Sequence, residues 1–334
     1  MQSVAKIVTN PQCNRLQGIL IANLVVLNPF KVIKLSRLLK KTSSLLILFS
    51  VVSANQSKAQ QIDLTEYLKN AEDSLQYYLD STRTTKIEKN KFYWNNKFRK
   101  KLERTLEIQG AFDYPFDKLK TIGKLASPDK YFRIFNWNVE NTDFTQNYFG
   151  YILVPSNKKD KVIELSDRSA GIEKPEAQSL DNKRWYGCLY YKILISSQKG
   201  KNEYTLLGFD MNNRATKKRI IEVMNFVGNK VNFGANIFDY DDKTLRKRVV
   251  FEYSSEVQMA LRYEENNTRI VFDHLSPENK DAEGLYEFYF PDGSYDALIL
   301  ENGRWRYVAD VDVKGEKTDV YNDPSKDDPR RRRD

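Results

Sequence analysis

Few groups in this chain could carry chemistry. His274 is the only histidine, and the two cysteines are Cys13 and Cys188. No site can therefore hold two histidine ligands, which excludes two-His zinc centres and two-His-carboxylate iron centres. A Cys188/His274 nucleophile pair is conceivable, because the members of such a pair need meet only in space. However, Cys188 lies in the aromatic run Trp185-Tyr186-Gly187-Cys188-Leu189-Tyr190-Tyr191, where a small buried thiol is commonplace. His274 ends the run Ile270-Val271-Phe272-Asp273-His274. Strand alternation puts it on the face of Phe272 and turns Asp273 the other way, so Asp273 is not expected to orient the ring. No catalytic residue is assigned on this basis.

The acidic residues offer more freedom. Asp239-Tyr240-Asp241-Asp242 could hold a hard cation, and Asp310 and Asp312 are expected on one strand face. Neither has calcium-loop spacing, so solvated turn acids are the preferred reading and no metal or cofactor is expected. A glycosidase-type carboxylate pair stays open, since its members are set by distance in the fold. Aromatics are the largest compositional excess. Of 42 Phe, Tyr and Trp, only Phe30 and Phe49 precede residue 60. Most should be core and cross-strand pairs. If Trp137, Trp185 or Trp305 faced solvent in a shallow groove, they would form a saccharide-binding surface. Gly-rich phosphate loops, nucleophile elbows and metal-spaced Cys/His groups do not occur.

Two helices and a long series of strands must position these residues. Leu64, Tyr67, Leu68, Ala71, Leu75, Tyr78 and Leu79 recur at helical spacing, with Asp63 and Glu66 as a capping box. A second helix is expected from about Lys91 to Ile108, with Trp94, Phe98, Leu102 and Leu106 on one side and Gly110 as C-cap. After Pro115 the period changes from 3.6 to 2. Val249 to Tyr263 alternates as one long strand, and its length predicts a bend or bulge near Ser254-Ser255. Turns are expected at Ser127-Pro128-Asp129-Lys130, Glu265-Asn266-Asn267-Thr268, Pro291-Asp292-Gly293-Ser294 and Glu301-Asn302-Gly303-Arg304. No helix-length segment interrupts the strands, so parallel crossovers are not expected. The fold class is mainly β, a large antiparallel meander (sandwich or barrel-like) preceded by an N-terminal helical hairpin. The expected divisions are 1–59 targeting segment, 60–112 helical hairpin, 113–316 antiparallel β domain and 317–334 charged tail. A propeller lacks its repeat, and an outer-membrane barrel is disfavoured by charge on both strand faces.

The net charge of +9 comes from 54 Lys+Arg against 45 Asp+Glu. Residues 1–59 hold eight basic residues and no acidic one, and Asp323 to Asp334 adds one more positive charge (five basic, four acidic). The body from Gln60 to Asn322 is thus formally neutral, so basicity argues for translocation rather than for nucleic acid. Lys31 to Lys41, the apolar run Leu45 to Val52, and Ser57-Lys58-Ala59 have the order of a secretory signal, with cleavage expected after Ala59. The apolar run is shorter than a membrane span, so an uncleaved anchor is not expected, and no stable span is expected in the mature chain.

The runs Phe112-Asp113-Tyr114-Pro115-Phe116-Asp117, Ser127-Pro128-Asp129-Lys130-Tyr131-Phe132-Arg133-Ile134-Phe135-Asn136-Trp137, Val271-Phe272-Asp273-His274-Leu275 and Pro291-Asp292-Gly293-Ser294-Tyr295-Asp296 resemble an uncharacterised family of exported proteins from Bacteroidota-type bacteria. The resemblance implies export and origin and transfers no activity. The expected function is a non-enzymatic binding or scaffolding protein of the cell envelope, periplasmic or extracellular, whose partner is an envelope protein or a glycan. The alternative is a carboxylate-dependent hydrolase acting on glycans.

Overall fold

The computed structural model describes residues 64–156, 159–196, 203–228, 230–240, 245–266 and 268–313. The expected signal segment, the cap at Asp63, Asp241 and Asp242, and the charged tail lie outside them. Two helices come first, α1 over 64–84 and α2 over Glu88–Leu106. Leu68, Leu75 and Leu79 of α1 and Phe98, Leu102 and Leu106 of α2 form the buried stripe, and Ala71 is buried beside them. Glu88 in the first turn and Arg104 in the last suit the helix dipole. The helix stops at Leu106, and Gly110 (φ 90°) serves the turn beyond it, accepting from the Tyr114 N–H, rather than the C-cap itself.

The chain then forms sixteen described strands. The first sheet is β1 (Gly123–Ala126), β2 (Arg133–Glu140), β3 (Gln146–Val154) and β4 (Lys161–Ser166) in sequence order, all antiparallel. The second runs β5 (Leu180–Asp181), β9 (Lys230–Phe233), β8 (Thr216–Val227), β7 (Glu203–Asp210), β6 (Leu189–Ile195), with β12 (Arg248–Ser254) also paired to β8. The third runs β11 (Leu245–Arg246), β10 (Phe238–Asp239), β16 (Arg304–Val308), β15 (Tyr289–Glu301), β14 (Arg269–Pro277), β13 (Leu261–Glu264). The protein is mainly β and antiparallel, with two helices ahead of the strands. The two-residue pairing of β10 with β16 is parallel.

Three cores hold these layers together. Alternate residues of β2 serve different ones: Ile134 joins Tyr190, Tyr204 and Ile220 of the second sheet, while Phe135 and Trp137 join the helices. In β7, Leu206 enters the first of these cores and Leu207 enters a third, shared with Ile270, Phe272, Leu298 and Trp305 of the third sheet. The order is helices, first sheet, second sheet, third sheet. The helical hairpin therefore shares a core with β2 and β3 and belongs to the same compact unit as the strands. Strands β2 and β7 are buried on both faces, so they read as near-continuous apolar runs.

Two turn expectations need correction. Val249 to Tyr263 is not one bent strand. It divides into β12 and β13, which lie in different sheets, because Ser254 to Val257 turns back on itself and the Ser255 N–H donates to Ala215 O. Pro291-Asp292-Gly293-Ser294 is not a hairpin turn either. Leu275 faces Pro291 and Asp273 faces Tyr295, so three residues of β15 oppose His274 alone as an in-line bulge. The Asn302-Gly303 turn forms as expected, with both residues at positive φ (47° and 71°) between the paired Glu301 and Arg304. Ser127 to Lys130 joins β1 to β2, and Glu264 pairs with Arg269 across the β13–β14 hairpin. Asp310 and Asp312 lie beyond β16, off any strand face.

Candidate functional site

The three tryptophans expected to stack on a saccharide are all interior. Trp137, Trp185 and Trp305 are at most 1% exposed, and each fills a different core. Each indole N–H has a buried acceptor: Asn95 Oδ1 at 2.7 Å, Tyr190 OH at 2.8 Å and Thr205 Oγ1 at 2.9 Å respectively. Three interlayer spaces need large side chains, and that demand absorbs the aromatic excess. The tryptophan with a surface face is Trp94, whose ring lies 5.6 Å from Tyr77, 6.1 Å from Tyr78 and 5.0 Å from Tyr93. Tyr67, Tyr77 and Tyr93 are more than half exposed. The apolar stripes of the two helices are wider than the core beneath them, and their Tyr/Trp margins stay open.

Cys188 and His274 are not brought together. Cys188 is wholly buried in the core between the first two sheets, and burial pushes its thiol well above the ordinary range. His274, with a side chain 42% exposed, sits at the β14 bulge, and its Nδ1 is 2.7 Å from Asp296 Oδ2. Tyr307 OH donates to the same carboxylate at 2.8 Å, and the Asp310 N–H donates at 3.1 Å. Asp273 points elsewhere and accepts from the Ala260 N–H. The orienting acid is thus Asp296, opposite Phe272 in the register, a partner the sequence spacing does not show. Among the described residues no group of three His, Cys, Asp or Glu is placed to hold a metal ion.

Two concave surfaces lie at the β5 edge of the second sheet, around the turn Asp181–Arg184. Asp181 Oδ1 accepts the Lys183 and Arg184 N–H groups, both at 2.9 Å, which fixes the turn. Register places Asp181 opposite Asn232, Asn232 opposite Asn225, and Asn225 opposite Glu203, a polar row across four strands. A cleft of about 620 Å³ runs along this row, lined by Ser179, Asp181, Arg184, Asn225, Val227 and Asn232 among others. On the other side of the turn a cleft of about 630 Å³ is lined by Gln146, Asn147, Asp167, Arg168, Lys183 and Arg184 among others. Arg184 belongs to both.

The second cleft has a rigid floor. Asp167 accepts from the Ser169 N–H (2.9 Å) and hydroxyl (2.6 Å), from the Gly187 N–H (3.3 Å) and from the Tyr148 N–H (3.1 Å). Gly187 has no room for a side chain there, since a Cβ would come within 2.4 Å of the Asp167 carboxyl. The Arg168 N–H donates to Trp185 O and the Trp185 N–H to Ser166 O, which ties the two cleft-lining segments together. Behind this floor Tyr148 OH donates to Asp210 Oδ1 at 2.7 Å, and the Asn212 N–H donates to the same oxygen at 2.6 Å. Burial pushes the Asp210 carboxyl up to about 6 against these hydrogen bonds and the nearby Lys218. Asp210 is only 4% exposed. These residues escaped the sequence reading because Asp167, Asn225 and Asn232 fall in ordinary strand and turn positions, and only strand register aligns them.

No family model, curated protein or solved structure matches the chain. Among the described residues no helix is long and apolar enough to cross a membrane.

Proposed function

We propose that the chain is an exported, β-rich binding protein of the cell envelope that takes a glycan in the two clefts meeting at Arg184. The observation that carries this reading is the polar row Asp181, Asn232, Asn225 across paired strands, which lines a cleft with amide and carboxylate groups at the spacing of the sheet. Side-chain amides can donate and accept at once, as sugar hydroxyls require, and a rigid sheet presents them at low ordering cost. The secretory order of residues 31–59 and the likeness to exported proteins support the location. Binding is favoured over hydrolysis because the carboxylates that line the clefts, Asp167 and Asp181, are occupied by backbone N–H donors.

The second reading, a carboxylate-dependent hydrolase, has one observation in its favour: burial, with a small addition from Asp167, pushes the Asp210 carboxyl up to about 6 behind the cleft floor. A glycan array probed with the purified chain tests both readings. Binding to a defined glycan class that is lost in Asn225→Ala/Asn232→Ala, without release of reducing ends, is the expected result. No binding to any glycan would refute the first reading. Release of reducing ends that stops in Asp210→Asn would establish the second.

A further inference from the structure

Taking the glycan reading as its premise, we infer that the ligand is a polyanionic saccharide whose acidic groups are held by Arg168, Lys183 and Arg184. These three cations line one cleft of about 630 Å³, and all three side chains are exposed. None of them forms a salt bridge with any described residue, although cations elsewhere on the surface do: Arg99 pairs with Glu164, Lys118 with Asp73, Lys192 with Glu265 and Arg306 with Glu301. The acid that lines the same cleft, Asp167, spends its oxygens on the backbone and hydroxyl donors of Tyr148, Ser169 and Gly187. Because the body from Gln60 to Asn322 is formally neutral, this concentration is local and not a by-product of a basic chain.

The backbone that carries the cations is fixed. Arg168 and Arg184 flank a backbone pairing in which the Arg168 N–H donates to Trp185 O and the Trp185 N–H to Ser166 O, while Asp181 fixes the Lys183 and Arg184 amides. Guanidinium forks match planar carboxylates and the faces of sulfate groups, and a lysine adds a point charge between them. Arg184 lines the amide cleft as well, so one acidic sugar can be anchored at the turn while its neighbour along the chain meets Asn225 and Asn232.

The test compares three probes by calorimetry: tetragalacturonate, its carboxyl-reduced neutral counterpart, and a sulfated galactan oligomer. Each is measured against the purified chain at low salt and at about 0.3 M NaCl. A charge-assisted contact is worth roughly tenfold in affinity. The expected result is that an acidic probe binds about tenfold or more tighter than the neutral one, weakens with salt, and loses at least that tenfold advantage in Arg168→Gln/Lys183→Gln/Arg184→Gln. Carboxylate or sulfate as the source is read from which acidic probe wins. Gly171→Phe, placed where a Cβ meets nothing within 4 Å, fills the cleft without changing charge and should weaken the same probe. If the neutral probe binds as tightly as the acidic ones and the triple variant is unchanged, the charge inference fails while the glycan reading stands. If no probe binds and the glycan array is also blank, both fail.

Discussion

Replacing Asp210 by Asn should flatten the acid side of the stability profile. The carboxyl is raised from 3.8 to about 6, with burial as the largest cause. A native acid with a raised pKa binds more protons than the unfolded chain between those values. Stability from this group is therefore greatest below about pH 4 and is lost as pH rises towards about 6. Two pH units correspond to about 3 kcal/mol. Asn keeps an oxygen for the donors Tyr148 OH and Asn212 N–H, whose support of the charged form is already contained in the net shift. At neutral pH the variant should be more stable than the parent by up to about 3 kcal/mol, and near pH 4 the two should be nearly equal. Urea unfolding followed by the fluorescence of the buried tryptophans, from about pH 4 to about pH 7, measures both curves. Because other acids titrate alike in both proteins, the diagnostic quantity is the change in their difference, about 3 kcal/mol across the window. Parallel curves would refute the account of Asp210 as a carboxyl whose charge is opposed by burial.

Three further outcomes follow, two from the cores and one from a turn. Glu222 and Arg248 are both fully buried and paired at 2.9 Å, so Arg248→Met should cost about 3–5 kcal/mol by stranding the carboxylate, and Glu222→Gln in the same chain should restore part of it in urea unfolding. Trp305→Ala should cost about 3–5 kcal/mol, since it leaves a cavity and removes the donor to Thr205, whereas Trp94→Ala on the helical margin should cost under about 1 kcal/mol; equal losses would contradict the layer assignment. Gly303→Val, at φ 71° in the β15–β16 turn, should lower stability by about 1–2 kcal/mol through left-handed strain, visible as a lower thermal midpoint.

Local features were legible in the residues alone. The two helices, the mainly β antiparallel class, the Asn302-Gly303 hairpin and the face of His274 all follow from periodicity and from which residues tolerate positive φ. Failures came where pairing, not propensity, decides. Ser254 to Val257 lies inside an alternating run yet sends the chain into another sheet, while Pro291 to Ser294 carries strong turn-forming residues yet bulges within a single strand. Local pattern thus points the wrong way at both, because cross-strand pairing decides each outcome. The partner of His274 was hidden for the same reason: Asp296 comes to it through register across a bulge.

The tryptophans mark the division most clearly. Composition alone established an aromatic excess and a neutral body behind a basic N-terminal segment. Which rings meet water was decided by stacking three sheets and a helical layer, because each interlayer space must be filled to crystal-like density and the largest side chains fill it first. That demand took Trp137, Trp185 and Trp305 inward, left Trp94 at the margin, and moved the candidate site to a polar row that exists only once four strands lie side by side.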